Sequence, residues 1–463
     1  MSSVTSGMRM RKAVALLVSL ALLTASCVIM VKPAFSSTEV TENTWVQKAS
    51  MNKARAGLGV AVVDGKIYAI GGLVGNGVAT GVNEVYNPET DTWSSRKPMP
   101  TPIIYFATAV YQGKIYCIGG TGGVNEVYDP ATDTWENKTA MPTARDYITA
   151  NVVNGKIYVI GGFVFDDSGT GSGSSLSVNE AYDPETDSWT TKTPMPTAAF
   201  GHISTVVDNK IYVIDSNLNQ IYDIKTDTWS LGASPPLDVG YGGAGGTVGV
   251  NAPKRIYVLT EKVWGESRFN QIYDPANDSW MFGVAVPTSR LDFNVAVVND
   301  KLYAIGGFKL SYAELYSIDV VVKPYATNEV YTPFGYGTVP PAVSVVSPEN
   351  MTYETSNVSL AFTVNKQASW MGYSVDGGET VTIGGNATLE GLANGMHNVT
   401  VYATDTFGNE GASETVNFTL EVPEPFPTTL VAAASVATVA IIGVGLLVYF
   451  KKSRHSKMTD KTE

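Results

Sequence analysis

The chain has 463 residues, 44% of them apolar, and its 45 glycines and 23 prolines suit a turn-dense, all-β protein better than a helical one. The formal net charge of −12 excludes polyanions such as nucleic acid as natural partners. The length allows two or three domains, and two cysteines cannot make a disulfide framework.

Residues 1–37 read as a secretory signal peptide, because Arg9, Arg11 and Lys12 precede an apolar run from Ala13 to about Met30. An uncleaved N-terminal anchor is the alternative. Cys27 lies in this segment, which leaves Cys117 alone in the mature chain. From Thr41 onward a unit recurs. Its fullest copy runs Val153-Asn154-Gly155-Lys156-Ile157-Tyr158-Val159-Ile160-Gly161-Gly162, then Asn179-Glu180-Ala181-Tyr182-Asp183-Pro184 and Asp187-Ser188-Trp189. Trp45, Trp93, Trp135, Trp189, Trp229 and Trp280 keep the register at intervals of 40 to 54 residues, too long for two-helix solenoid repeats and suited to propeller blades.

Each unit predicts four short strands. A two-residue turn such as Asn154-Gly155 joins the first pair, since its centre needs positive φ. The glycine doublet ends the second strand, Asn-Glu-x-Tyr forms the third, and an Asp-Pro turn leads to the tryptophan that opens the fourth. The sixth copy reaches Asn328-Glu329-Val330-Tyr331 but has no Asp-Thr-Trp after it, while an orphan Thr41-Glu42-Asn43-Thr44-Trp45 stands at the other end. Thr41 to Gln47 is therefore expected to finish the last blade and close the ring, so that only short, protected edges remain.

This pattern resembles the kelch repeat from Thr41 to about Tyr331. The resemblance implies a six-bladed kelch β-propeller over residues 38–337, closed by the N-terminal strand. In blades four and five Asp215-Ser216 and Leu259-Thr260 replace the glycine doublet.

Residues 338–422 break the pattern. Short alternating segments at Ala342–Val346, Val358–Val364, Trp370–Val375, Thr380–Ile383, Thr388–Leu392, His397–Thr404 and Glu414–Leu420 predict a β-sandwich with Trp370 in its core. It resembles the immunoglobulin-like (Ig/FnIII-like) modules of microbial surface proteins. Residues 423–429 form a proline-rich stalk. Leu430 to Phe450 carries no charge and, at ~1.5 Å per residue, spans ~30 Å of hydrocarbon. The basic tail, 451–463, stays in the cytoplasm by the positive-inside rule, so the chain reads as a single-pass type I protein of the cell membrane with its bulk extracellular. The same ending is similar to carboxy-terminal sorting signals of prokaryotic surface proteins, in which the tail is removed. Asn137, Asn277, Asn350, Asn357, Asn386, Asn398 and Asn417 each head an N-x-Ser/Thr sequon, as in a glycoprotein.

Recurring Tyr and Trp at one blade position imply inter-blade core, and Cys117 takes the slot of Ala69 and Val159, a buried apolar site. Arg55, Arg145 and Arg290 stand where a basic residue braces the blade in kelch proteins. Copper oxidases resembling galactose oxidase need histidine ligands and a tyrosine joined to cysteine; His202 is the only propeller histidine, so neither metal nor cofactor is predicted. The Ser-x-Asp-x-Gly-x-x-Trp turns of sialidases are absent. The loops sharing one face carry Tyr105, Asp146, Tyr147, Phe163, Asp166, Asp167, His202, Trp264, Arg268, Asp292 and Phe293, with Asn76, Phe165, Tyr241 and Tyr312 beside them. Aromatics with carboxylates there suit non-catalytic binding of an extracellular protein or glycan. The alternatives are a carbohydrate-active, sialate-epimerase-like enzyme using Asp146, Asp292 and Arg145 or Arg290, or a structural surface-coat component.

Overall fold

The computed structural model describes residues 40–120, 122–166, 172–261, 268–309, 323–423 and 428–456, so the expected signal peptide lies outside them. Its contacts divide the chain into two units, the first built almost wholly from residues before 342.

In the first unit six four-stranded antiparallel sheets follow one another. Their opening strands are Gly59–Val63, Ala107–Tyr111, Thr149–Val153, Ile203–Val207, Gly243–Gly246 and Asn294–Val298. Each lies against the opening strand of the next, and the sixth returns to the first, so the sheets radiate from a closed centre. The last sheet takes its outer strand from the beginning of the chain: Thr44–Lys48 pairs antiparallel with Asn328–Thr332, and Trp45 faces Tyr331. Its ring centroid is 5.1 Å from that of Tyr331, the spacing found for Tyr86 with Trp93.

The repeated letters now have mechanical roles. The hairpin turns place Asp64 and Gly65, or Asn154 and Gly155, at positive φ, as a right-twisted two-residue turn requires. One step further out, each sheet clamps its predecessor. Trp93 Nε1 donates to Ala49 O at 2.7 Å, while Asp91 Oδ1 accepts from Ala49 N at 2.8 Å and from Tyr86 Oη at 2.6 Å. The same grip recurs in the other sheets. At the closure Asn43 replaces the aspartate: it accepts from Val284 N and Tyr331 Oη at 2.8 and 2.7 Å, and Trp45 Nε1 donates to Val284 O at 2.8 Å. The orphan strand thus makes every bond that an internal fourth strand makes.

Under each sheet lies a buried acid or amide: Glu84, Glu126, Glu180, Gln220, Gln271 and Glu329. Arg145, 1% exposed, donates to Glu180 Oε2 at 2.6 Å and to the carbonyls of Gly161, Thr143 and Val159 at 2.7, 2.7 and 3.1 Å. Arg55 and Arg290 hold Glu84 and Glu329 in the same way. These three arginines are braces, as the repeat pattern implies. Where the arginine is missing, at Ala199 and Val239, the acid has become Gln220 or Gln271, so no uncompensated charge is buried. The second sheet departs from this rule: Ile103 fills the arginine slot, yet Glu126 persists, accepting from Thr101 Oγ1 at 2.5 Å. In the fifth sheet the short hairpin opens into a loop pinned by Asp300, which accepts from the amides of Val248, Val250, Asn251 and Ala252 at 2.6–3.1 Å.

The second unit holds a three-stranded sheet (Val343–Ser347, Val358–Val364, Ala387–Leu389) and a six-stranded sheet led by Gly395–Asp405 and Val416–Leu420. Its core is Leu360, Leu389, Val399, Val401 and Phe418. Trp370 is not in that core. Its ring lies over Gly372, and its indole N–H donates to Thr382 Oγ1 at 3.1 Å, so it covers a sheet face while only partly buried. Among the described residues one helix, Thr428–Ser456, is long and apolar enough to cross a membrane by length and composition.

Candidate ligand-binding site

Where each chain segment enters its opening strand, one residue turns at positive φ: Gly57, Tyr105, Tyr147, Gly201, Tyr241 and Asp292, with φ from 47° to 59°. Their backbones form a closed cycle. Tyr105 N donates to Gly57 O (3.0 Å), Tyr147 N to Tyr105 O (2.8 Å), Gly201 N to Tyr147 O (3.2 Å), Tyr241 N to Gly201 O (3.2 Å), Asp292 N to Tyr241 O (2.9 Å) and Gly57 N to Asp292 O (2.9 Å). Glycine would take this conformation without strain, and three tyrosines take it at a cost of ~1–2 kcal/mol each. Strain kept at one mouth in four of six copies points to use of the side chains there.

Those side chains gather over a cavity of about 130 Å³ on the ring's axis. Tyr105 leans across Gly57, where a Cβ would come within 2.8 Å of its ring, and so reaches Asp292. Tyr147 stacks on Tyr105, centroids 4.1 Å apart and planes 17° from parallel. Phe200 and Tyr241 stand nearly perpendicular to Tyr147 at 6.1 and 6.5 Å. Phe163 meets Phe200 at 4.9 Å, and Phe165 follows it on the short hairpin Phe163–Phe165 with Gly173–Ser175.

The electrostatics follow from burial. Desolvation raises the Asp292 carboxyl to about 7 against the opposing influence of Tyr105, and burial, then that carboxyl, pushes the Tyr105 phenol well up. Burial likewise raises Asp146 and Asp215 to about 6. His202 is neutral, lowered to about 4 by desolvation and Arg145, with its Nε2 at 2.9 Å from Thr149 Oγ1.

Of the residues predicted from sequence, Tyr105, Tyr147 and Asp292 converge at the mouth, and His202 and Phe293 line the cavity from deeper positions. Phe293 is itself core, with the Arg290 guanidinium 5.3 Å from its ring. Asp146 is buried beside Tyr147, and Asp166 is exposed at the hairpin's end, its amide on Ser172 O. Arg268 does not belong to the cavity: it sits on the third strand of the fifth sheet and donates to Pro287 O, away from the axis. Asp167, Trp264 and Tyr312 lie outside the described residues. Arg145 and Arg290 are consumed by their glutamates and are not available as acid–base groups. Phe200 was missed, and Tyr241 was placed in the loops without being singled out. Counting two residues on from Arg55, Arg145 and Arg290 identifies the ring position in those three copies. Among the described residues no group of three or more His, Cys, Asp or Glu could hold a metal ion.

Comparison with known proteins places a kelch motif at residues 54–100, 104–142 and 144–196. Human Kelch-like protein 33 is 36% identical over 85 residues, 18% of this chain and 16% of that one. Human Influenza virus NS1A-binding protein is 40% identical over 89 residues, 19% and 14% of the two chains. Mouse Kelch-like protein 35 is 28% identical over 199 residues, 42% of this chain. The chain spans about a quarter or less of these relatives' length. The solved structure of YjhT aligns with a TM-score of 0.48 at 16% identity, covering 61% of this chain and 96% of that one.

Proposed function

We propose that this kelch-repeat protein is a membrane-anchored cell-surface receptor that binds an extracellular protein or glycan, without chemistry, at the mouth of a six-bladed propeller. Residues 338–422 serve as an immunoglobulin-like spacer and the helix Thr428–Ser456 as the anchor. The observation that carries the binding reading is the strained ring itself: Tyr105, Tyr147, Tyr241 and Asp292 hold left-handed backbones that only their side chains can justify. Aromatic rings over a concave centre are the usual anchors of recognition. Support for an exterior location comes from the sequons, since Asn137, Asn277, Asn350, Asn357, Asn386 and Asn417 are exposed and Asn398 alone is partly buried.

A catalytic reading has one observation in its favour. The carboxyl of Asp292, raised to about 7, is poised to exchange a proton near neutral pH. The test runs the full-length protein in detergent over arrays of glycans and surface-protein domains, beside turnover assays on sialic acids and galactosides. Binding that Tyr147→Ala abolishes, with no turnover, is the expected result. Turnover lost in Asp292→Asn would replace the receptor with an enzyme.

A further inference from the structure

Asp292 lines this mouth, Asp146 and Asp215 stand within electrostatic reach of its tyrosines, and among the described residues no cation is paired with any of the three. Asp292 has Tyr105 beside it, which holds its carboxyl down against burial, and among the described residues no ion pair reaches it. Asp146 is 8% exposed, and among the described residues neither a hydrogen bond nor an ion pair reaches its carboxyl. Asp215 occupies the glycine-doublet slot of the fourth sheet, with only Ser216 beside it. Tyr147 lies within electrostatic reach of Asp146 and Asp292, and Tyr241 of Asp215 and Asp292, so the three acids share one field. The arginines nearest in sequence, Arg55, Arg145 and Arg290, are buried with their charges spent on Glu84, Glu180 and Glu329. His202 is neutral. A buried, unpaired carboxyl is costly, and a fold retains one where a ligand supplies the missing charge.

The aromatic rings have the same preference. The stacked Tyr105 and Tyr147, with Phe200 and Tyr241 perpendicular to them, present π faces and edges in several directions around one small volume. A π face attracts a cation, most strongly where water is excluded. Hydroxyl and carboxylate oxygens suit a compact head with three donors, and the rings suit an aliphatic stem.

We infer that the mouth receives the primary ammonium of a partner protein's lysine, held between the tyrosine rings and the carboxyl of Asp292. This rests on the binding reading above and chooses a protein over a glycan. The ammonium favours the ionised carboxyl, so binding releases the proton that burial holds on Asp292 near neutral pH.

The experiment is calorimetric titration of the full-length protein in detergent with n-butylammonium, n-butanol, a lysine-containing peptide and its Nε-acetylated twin. Butylammonium and the lysine peptide should bind, and butanol and the acetylated peptide should not. Asp292→Asn keeps a residue that tolerates left-handed φ and should weaken butylammonium at least tenfold at unchanged thermal stability or better. Between pH 8.5 and 5.5 the wild-type affinity should fall about 30-fold, following the ionised fraction of a group near 7. Equal binding of the two peptides, or full affinity in Asp292→Asn, overturns the inference. Binding of butylammonium without the lysine peptide overturns the protein partner. If array ligands depend on Tyr147 while no ammonium binds, the ligand class fails and the receptor reading stands; if Tyr147→Ala changes no array ligand, the receptor reading fails first.

Discussion

Replacing Arg145 by alanine tests the internal logic of the sheets. The guanidinium has four partners, Glu180 and the carbonyls of Gly161, Thr143 and Val159, all at 3.1 Å or less and away from water. Its loss strands a carboxylate that is 4% exposed, and breaking a buried pair in this way costs about 3–5 kcal/mol. At about 2.1 cal/mol/K of unfolding entropy per residue, a unit of roughly 300 residues should lose about 5–8 °C in Tm. The chain itself contains the remedy, because the fourth and fifth sheets pair Ala199 with Gln220 and Val239 with Gln271. Arg145→Ala with Glu180→Gln should therefore recover at least half of the loss, a coupling of about 2–3 kcal/mol. Thermal melts and urea titrations of wild type, both single variants and the double variant, followed by tryptophan fluorescence, supply the cycle. A double variant no more stable than Arg145→Ala, or a single variant costing under about 1 kcal/mol, would refute the reasoning.

Three further outcomes follow from the mouth. Asp146, Asp215 and Asp292 have folded values of about 6, 6 and 7, above the unfolded carboxyl at ~3.9. The native state therefore binds more protons, and the stability these groups give is complete below about pH 4 and lost as pH rises through 6 to 7. Urea midpoints should decline from pH 5 to pH 8, and Asp292→Asn should flatten that decline; a midpoint that rises over this window contradicts the assignment. Gly57→Ala meets both left-handed strain and the Tyr105 ring at 2.8 Å, whereas Gly201→Ala meets Tyr241 only at 3.4 Å. Both should cost about 1 kcal/mol or more in chemical denaturation, but only the first should also weaken ligand capture, by displacing Tyr105 from Asp292. Tyr105→Phe removes the hydrogen bond that lowers Asp292, so any pH-dependent binding should shift its midpoint above that of wild type.

Much of this was legible in the letters because the repeat states each role six times. The tryptophan, the turn aspartate and the third-strand tyrosine recur together because they form one clamp, and Asn43 with Trp45 showed the same set displaced to the N-terminus. The exchange of Glu for Gln in the fourth and fifth sheets, where Ala199 and Val239 stand in the arginine slot, took the buried geometry to read. What sequence could not give was convergence. Phe200 comes from the turn before the fourth sheet and Phe163 from the short strand after the doublet, and packing of the third sheet against the fourth brings their centroids to 4.9 Å. Arg268 was placed with the loops, whereas it opens the third strand of the fifth sheet opposite Glu261. Trp370 was expected in the sandwich core, whereas strand alternation set it above Gly372 on a sheet face.

The most direct measurement is hydrogen exchange, resolved to single amides, at Gly57, Tyr105, Tyr147, Gly201, Tyr241 and Asp292. A cycle closed by the N-terminal strand predicts that all six exchange slowly and together, and that deleting Thr41 to Gln47 accelerates all six by a similar factor. Fast exchange at Gly57 in the intact chain, or loss of protection confined to the sixth sheet in the deletion, would contradict it.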